Sequence, residues 1–205
     1  IRPENEHFTR TRLVCLENTH NRGGGSVQPW ETVVEICDWA HEQGLRTHLD
    51  GARLFNAVTA TGIPADQWGE HFDTVSICFS KGLGAPVGSA LVGSDALIRE
   101  ARRHRKLFGG GMRQAGVIAA GALYALQHNR ERLLEDHQHA QLLAEAVHEA
   151  EGLELVGDRA ETNMVIFQVD PQLATAAEFV GVLAENGVQM LAIDADRVRA
   201  VTHLD

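Results

Sequence analysis

Two periodicities divide the chain. Short apolar runs at 12–16 ("RLVCL"), 45–49 ("LRTHL"), 73–79 ("DTVSICF") and 89–93 ("SALVG") predict strands. The run at 73–79 is too apolar for one exposed face, which predicts a strand buried on both faces. Between the runs the spacing becomes helical. Trp30, Val33, Val34, Cys37 and Ala40 fall on one face of a helix. Pro29 suits its first turn and Gly44 its end. "GARLFNAVTATG" predicts a short helix or turn, and Ser94 starts a helix through "SDALIREARRHRK". "GGGMRQAGVIAAGALYAL" is three glycines followed by a long apolar helix. An amphipathic helix over 130–150 places Leu133, Leu134, Leu142, Leu143 and Val147 on its apolar side.

After Gly152 the texture changes to "LELV", "NMVIFQV", a helix in "ATAAEFVGVLAENG", then "VQML" and "RVRAVTH". Strands alternating with helices predict an α/β fold with a mostly parallel sheet, followed by a small α+β domain. The division is placed at 1–135 and 136–205. In parallel sheets ligands gather beyond the carboxyl ends of the strands. Asn18, Asp50 and Lys81 each follow a predicted strand, so they are expected to cluster.

Composition narrows the chemistry. The 205 residues carry a formal charge of −10, which disfavours nucleic acid as a partner. "REARRHRK" (99–106) is basic, but it lacks interleaved aromatic residues and reads as a solvated helix face. Cys15, Cys37 and Cys78 are scattered, with no metal-ligand spacing, so a reduced, cytoplasmic setting and no metal are expected. No apolar run approaches ~20 residues, and no membrane span is expected. The chain opens on Ile1 and stops just after "VRAVTHL", which predicts a fragment shortened at both ends.

Lys81 stands between an apolar strand and glycines at 82, 84 and 88. It is either a lysine snorkelling from a loop or a Schiff-base amine made nucleophilic by desolvation. It precedes the glycines, so the segment is no GxxxxGK[ST] phosphate loop. The flanking glycines would let backbone approach a ligand closely. Asp50 either caps the next helix or holds a proton on a pyridine nitrogen; the two roles are compatible.

The blocks "LENTHN", "HLDGARLFNA", "SICFSKGLGAPVGSALVG", "KLFGGGMRQAGVIAAGALYAL", "TNMVIF" and "RAVTHLD" occur in the order of the low-specificity L-threonine aldolases. The chain resembles that family over essentially its whole length. The resemblance implies a pyridoxal 5'-phosphate (PLP) enzyme with the aspartate-aminotransferase-like fold: a three-layer large domain and a small C-terminal domain. It implies that Lys81 tethers the cofactor, that Asp50 partners its pyridine nitrogen, and that Arg53 and Arg199 lie at the substrate carboxylate. A planar guanidinium fork suits that last role. From its residues alone, Arg199 reads as a strand residue with a solvated head. His7 matches a histidine near the substrate β-hydroxyl, with His20 as the rival base; otherwise they read as a surface histidine and a loop-bonding one. Lys106 and Arg113 match a region near the cofactor phosphate at a subunit contact.

The same resemblance implies homo-oligomers, dimers of dimers, acting on small amino acids in threonine catabolism and glycine biosynthesis. The implied reaction is retro-aldol cleavage of threonine or allo-threonine to glycine and an aldehyde. The family's phosphate-gripping loop and ring-stacking histidine are expected upstream of Ile1, and its last helix beyond the last residue. The alternatives are β-elimination or transamination on the same fold, or a catalytically incomplete fragment.

Overall fold

The computed structural model describes residues 1–3 and 5–204. Its first sheet has the order β1 (Leu13–Glu17), β2 (Arg46–Gly51), β3 (Thr74–Cys78), β4 (Ser89–Gly93). The first three strands are parallel. Helix α1 (Trp30–Glu42) joins β1 to β2; α2 (Leu54–Thr61) and α3 (Ala65–Glu70) join β2 to β3. On one face Leu49 and Val75 pack with Val33, Cys37, Leu54, Trp68 and Phe72. Trp30 meets the edge of Trp68 at 4.9 Å between ring centres.

Strand β4 departs from the parallel expectation. It runs antiparallel to β3. The connection at 79–88 contains no helix, so it cannot carry the chain back for a parallel strand. Instead it turns: Gly84 and Gly88 take positive φ values of 72° and 118°, and the Gly84 amide bonds the Lys81 carbonyl at 2.7 Å. Nor is β3 buried on both faces, since Ser76 and Cys78 are only half-buried. On the face away from α1, Leu13 and Leu91 are 48% and 42% exposed.

Helices α4 (Asp95–Leu107) and α5 (Gly116–His128) follow. Ser94 caps α4, accepting from the Leu97 amide, and α4 buries no residue, as a solvated basic helix should.

The second sheet is antiparallel, in the order β5 (Leu153–Leu155), β6 (Met164–Val169), β8 (Arg197–Val201), β7 (Leu191–Ala192). Helices α6 (Leu133–Glu149) and α7 (Ala176–Glu185) supply Ala140, Ala144, Val147 and Ala176 to its core, against Val165, Phe167, Val169 and Val198. The start of α6 belongs to another cluster, where Leu133 meets Leu83, Ala85 and Ala125. A division at 135/136 therefore falls inside α6. Of the five residues expected on its apolar side, Leu133 and Val147 are buried and Leu143 packs against the core, but the inward face is shifted. Leu133, Asp136, His137, Ala140, Ala144 and Val147 are buried, whereas Leu134 and Leu142 are exposed. The buried set recurs every three or four residues, and small alanines let the helix sit close to the sheet.

His137 is a buried titratable group. Its Nε2 accepts from Asn56 Nδ2 at 3.1 Å, which places its proton on Nδ1. Burial pushes its pKa down, and the neighbouring Asp136 opposes this more weakly. The folded state thus binds a proton less readily than the unfolded chain. This stability is full above about pH 6.5, declines as pH falls below it, and levels once the folded pKa is passed. Thermal melts between pH 7 and 5 should show the decline. H137Q, which keeps an acceptor but cannot titrate, should flatten it. Asp73 titrates lower. Burial opposes its charge, but bonds from the Thr47 amide, Arg46 and His41 outweigh this and hold its pKa below the usual carboxylate value.

Candidate active site

The carboxyl ends of β1, β2 and β3 lie side by side. Glu17, Asp50 and Ser76 are register partners, so their side chains share the face turned away from α1. The Asn18 amide continues the ladder to the Asp50 carbonyl at 2.9 Å. Oδ1 of Asp50 accepts from the Ala52 amide at 3.1 Å, while Oδ2 has no hydrogen-bond partner among the described residues. Asp50 does not cap α2; the residue at that position is Arg53, without a side-chain cap bond. Lys81 follows β3, the strand beside β2. Its carbonyl accepts from His203 Nε2 at 2.8 Å. Its ammonium makes no hydrogen bond or ion pair among the described residues, and the residue is half-buried.

Two of the glycines after Lys81 are required by packing. A Cβ at Gly82 would lie 2.8 Å from Leu133, and one at Gly84 would lie 2.8 Å from Leu204. Asn129 Nδ2 donates to the Leu83 carbonyl at 2.7 Å, fixing the same loop.

The loop after β1 bridges the two sheets. Bonds from His20 N to Ser26 O and from Gly25 N to His20 O close it. Gly24 and Gly25 adopt φ of 71° and 77°. Thr162 Oγ1 donates to the Gly25 carbonyl at 2.6 Å, and a Cβ at Gly25 would lie 3.0 Å from Met164. The loop therefore rests on the β6 face opposite the α6 core. Arg199, the register partner of Ile166, lies on that same face.

There the two arginines meet. Arg53 Nη1 and Arg199 Nη1 both donate to Asn21 Oδ1, at 3.4 and 3.2 Å. Burial and the charge of Arg199 lower the Arg53 pKa; Glu17, Cys78 and Asp50 pull it back. The Nε of Arg199 is buried without a partner among the described residues. Two cations and an unused donor thus lie near a carboxylate, beyond the ends of three strands. Such a site suits a planar anion and a protonated ring nitrogen.

The structure brings Arg53 and Arg199 together on Asn21, near enough to Asp50 for its charge to act on Arg53, with Lys81 past the adjoining strand end. His20 frames the bridging loop, and its ring lies 3.6 Å from Glu17. His7 is not brought to the cluster: it is exposed, its amide bonds Asn5 Oδ1 and its ring lies 3.6 Å from Glu6. Lys106 and Arg113 are exposed and form no hydrogen bond or ion pair among the described residues. Sequence reasoning overlooks Asn21, Glu17 and His203. The Glu17 carboxylate accepts from the Asn21 amide at 3.0 Å; the short spacing from Glu17 to Asn21 was the one signal available.

A family model described as beta-eliminating lyase matches residues 1–171. The chain belongs to this family. Among its relatives, the low specificity L-threonine aldolase of Escherichia coli K12 is 45% identical over 206 residues, covering 100% of this chain and 59% of that protein. The low-specificity L-threonine aldolase 1 of Arabidopsis thaliana is 43% identical over 197 residues, covering 96% and 55%. The beta-eliminating lyase chain spans little more than half the length of these relatives. The crystal structure of a Listeria monocytogenes protein proposed as an L-allo-threonine aldolase superposes with a TM-score of 0.83 at 25% identity, over 93% of this chain and 55% of that one. Threonine aldolase from Leishmania major gives 0.77 at 22%, over 98% and 58%, and shares the fold.

Proposed function

We propose that the protein cleaves L-threonine or L-allo-threonine by a PLP-dependent retro-aldol reaction, yielding glycine and acetaldehyde. The observation that carries this reading is the convergence of Arg53, Arg199 and Asp50 from two sheets, beside the strand end bearing Lys81. The names of the relatives support the reaction type. The residues fit the cofactor: among the described residues Lys81 offers an unpaired amine, and Asp50 Oδ2 an unused acceptor on an open sheet face.

When bound, pyridoxal phosphate supplies an electron sink for the pair released at Cα. Lys81 would hold it, and Asp50 would keep a proton on its ring nitrogen. Arg53 and Arg199 grip the substrate carboxylate and so fix the orientation of the Cα–Cβ bond. A histidine accepts the β-hydroxyl proton as that bond breaks. We assign this to His20, which adjoins Asn21 and whose ring lies 3.6 Å from Glu17, with His7, which lies outside the cluster in this structure, as the rival.

We place the reaction in the cytoplasm, in threonine catabolism and glycine synthesis, and in a dimer of dimers. Leu107, Phe108, Met112, Val117, Leu123 and Tyr124 are all exposed, an apolar stretch that supports a subunit contact near Lys106 and Arg113. The three cysteines are free, and no helix in the described residues is long and apolar enough to cross a membrane.

A product assay on the full protein tests the proposal. Threonine should yield equimolar glycine and acetaldehyde. A keto acid would mean transamination or β-elimination instead. Replacing His7 or His20 by Ala should slow cleavage while leaving glycine binding unchanged, for whichever residue is the base.

A further inference from the structure

We propose that Asn21 is a positioning residue whose neutral amide holds Arg53 and Arg199 together without cancelling their charge. This rests on the reading that the pair grips the substrate carboxylate. Two half-buried guanidiniums repel each other; burial first, and then the charge of Arg199, lowers the Arg53 pKa. Something must hold them in place. Asn21 Oδ1 accepts from both, at 3.4 and 3.2 Å, using its two lone pairs.

The amide is itself anchored. Its backbone N–H donates to Glu17 Oε1 at 3.0 Å. The loop that follows is pinned to the second sheet by Thr162. One short segment therefore sets the spacing of two arginines from different sheets. A carboxylate in place of Asn21 would be a stronger acceptor, but it would occupy the pair and remove the positive field that draws a substrate. The neutral amide leaves both charges available to the ligand.

The isosteric change N21D separates this role from a merely structural one. In the PLP-loaded full protein, calorimetric titration with glycine is compared with methylamine, the same amine without its carboxylate. Melting temperature is measured alongside. N21D should melt at or above the wild-type temperature, since a charged acceptor strengthens both bonds. Its glycine affinity should fall at least about tenfold, as expected for loss of charge-assisted contacts, with methylamine binding unchanged. N21A, which removes the acceptor without adding charge, should lower glycine affinity about three- to tenfold. Wild-type protein that binds glycine no more tightly than methylamine would overturn the carboxylate reading, and this inference with it. A wild type that prefers glycine, together with an N21D variant that matches it, would overturn the role of Asn21 alone. Should N21D fail to fold, unchanged glycine affinity in N21A decides against the role.

Discussion

Replacing Lys81 by Ala should abolish glycine release from threonine while leaving the fold intact. The expected loss is at least about three orders of magnitude, because a tethered cofactor and a positioned amine are both removed. The visible absorption of the cofactor-loaded protein should change in parallel. The structural cost should be small. The Lys81 ammonium has no partner among the described residues, and substitutions away from packed or paired groups stay within about 0.5 kcal/mol. What holds this segment is backbone: the Lys81 carbonyl accepts from His203 and from the Gly84 amide, and neither bond depends on the side chain. Rates and melting temperature should therefore separate. A variant that still releases glycine at the wild-type rate, at an unchanged melting temperature, would remove Lys81 from the reaction.

How much of this could be read in advance depended on the range of each interaction. Strands β1 to β4 were legible because each is a short apolar run bounded by polar or glycine residues. The α4 start was legible because Ser94 caps it locally. Helix α3 was not, since six residues with one buried side chain, Trp68, show no periodicity. The direction of β4 was hidden because apolar runs do not encode pairing. On α6 Leu134 and Leu142 misled, because bulk marks hydrophobicity but closeness to a sheet selects alanine. Within the site, Asp50 stood out at a strand end. The roles of Arg53 and Arg199 were visible only through the family resemblance. Asn21 was invisible in its role: its partners lie 32 and 178 residues away. Residues that join two sheets leave no local pattern.

Arg132→Met should be the most destabilising single change considered, lowering stability by about 3–5 kcal/mol and the melting temperature by on the order of 10 °C. The Arg132 guanidinium holds Asp136 through two bonds, at 2.9 and 3.3 Å. The Asp136 side chain is fully buried, while that of Arg132 is 17% exposed. The two halves of the pair are therefore unequal. Removing Asp136 leaves a cation that can reach water, whereas removing Arg132 strands a carboxylate that cannot, so D136N should cost less than R132M. Thermal melts of both variants at neutral pH check the claim; a larger loss in D136N than in R132M would rule out the stranded-charge account. The damage should also reach the site. The Asp136 carbonyl accepts from Thr202 Oγ1 at 2.5 Å, and the next residue, His203, holds the Lys81 carbonyl. Loosening α6 therefore loosens the segment that carries the lysine, and glycine release should fall before the chain unfolds.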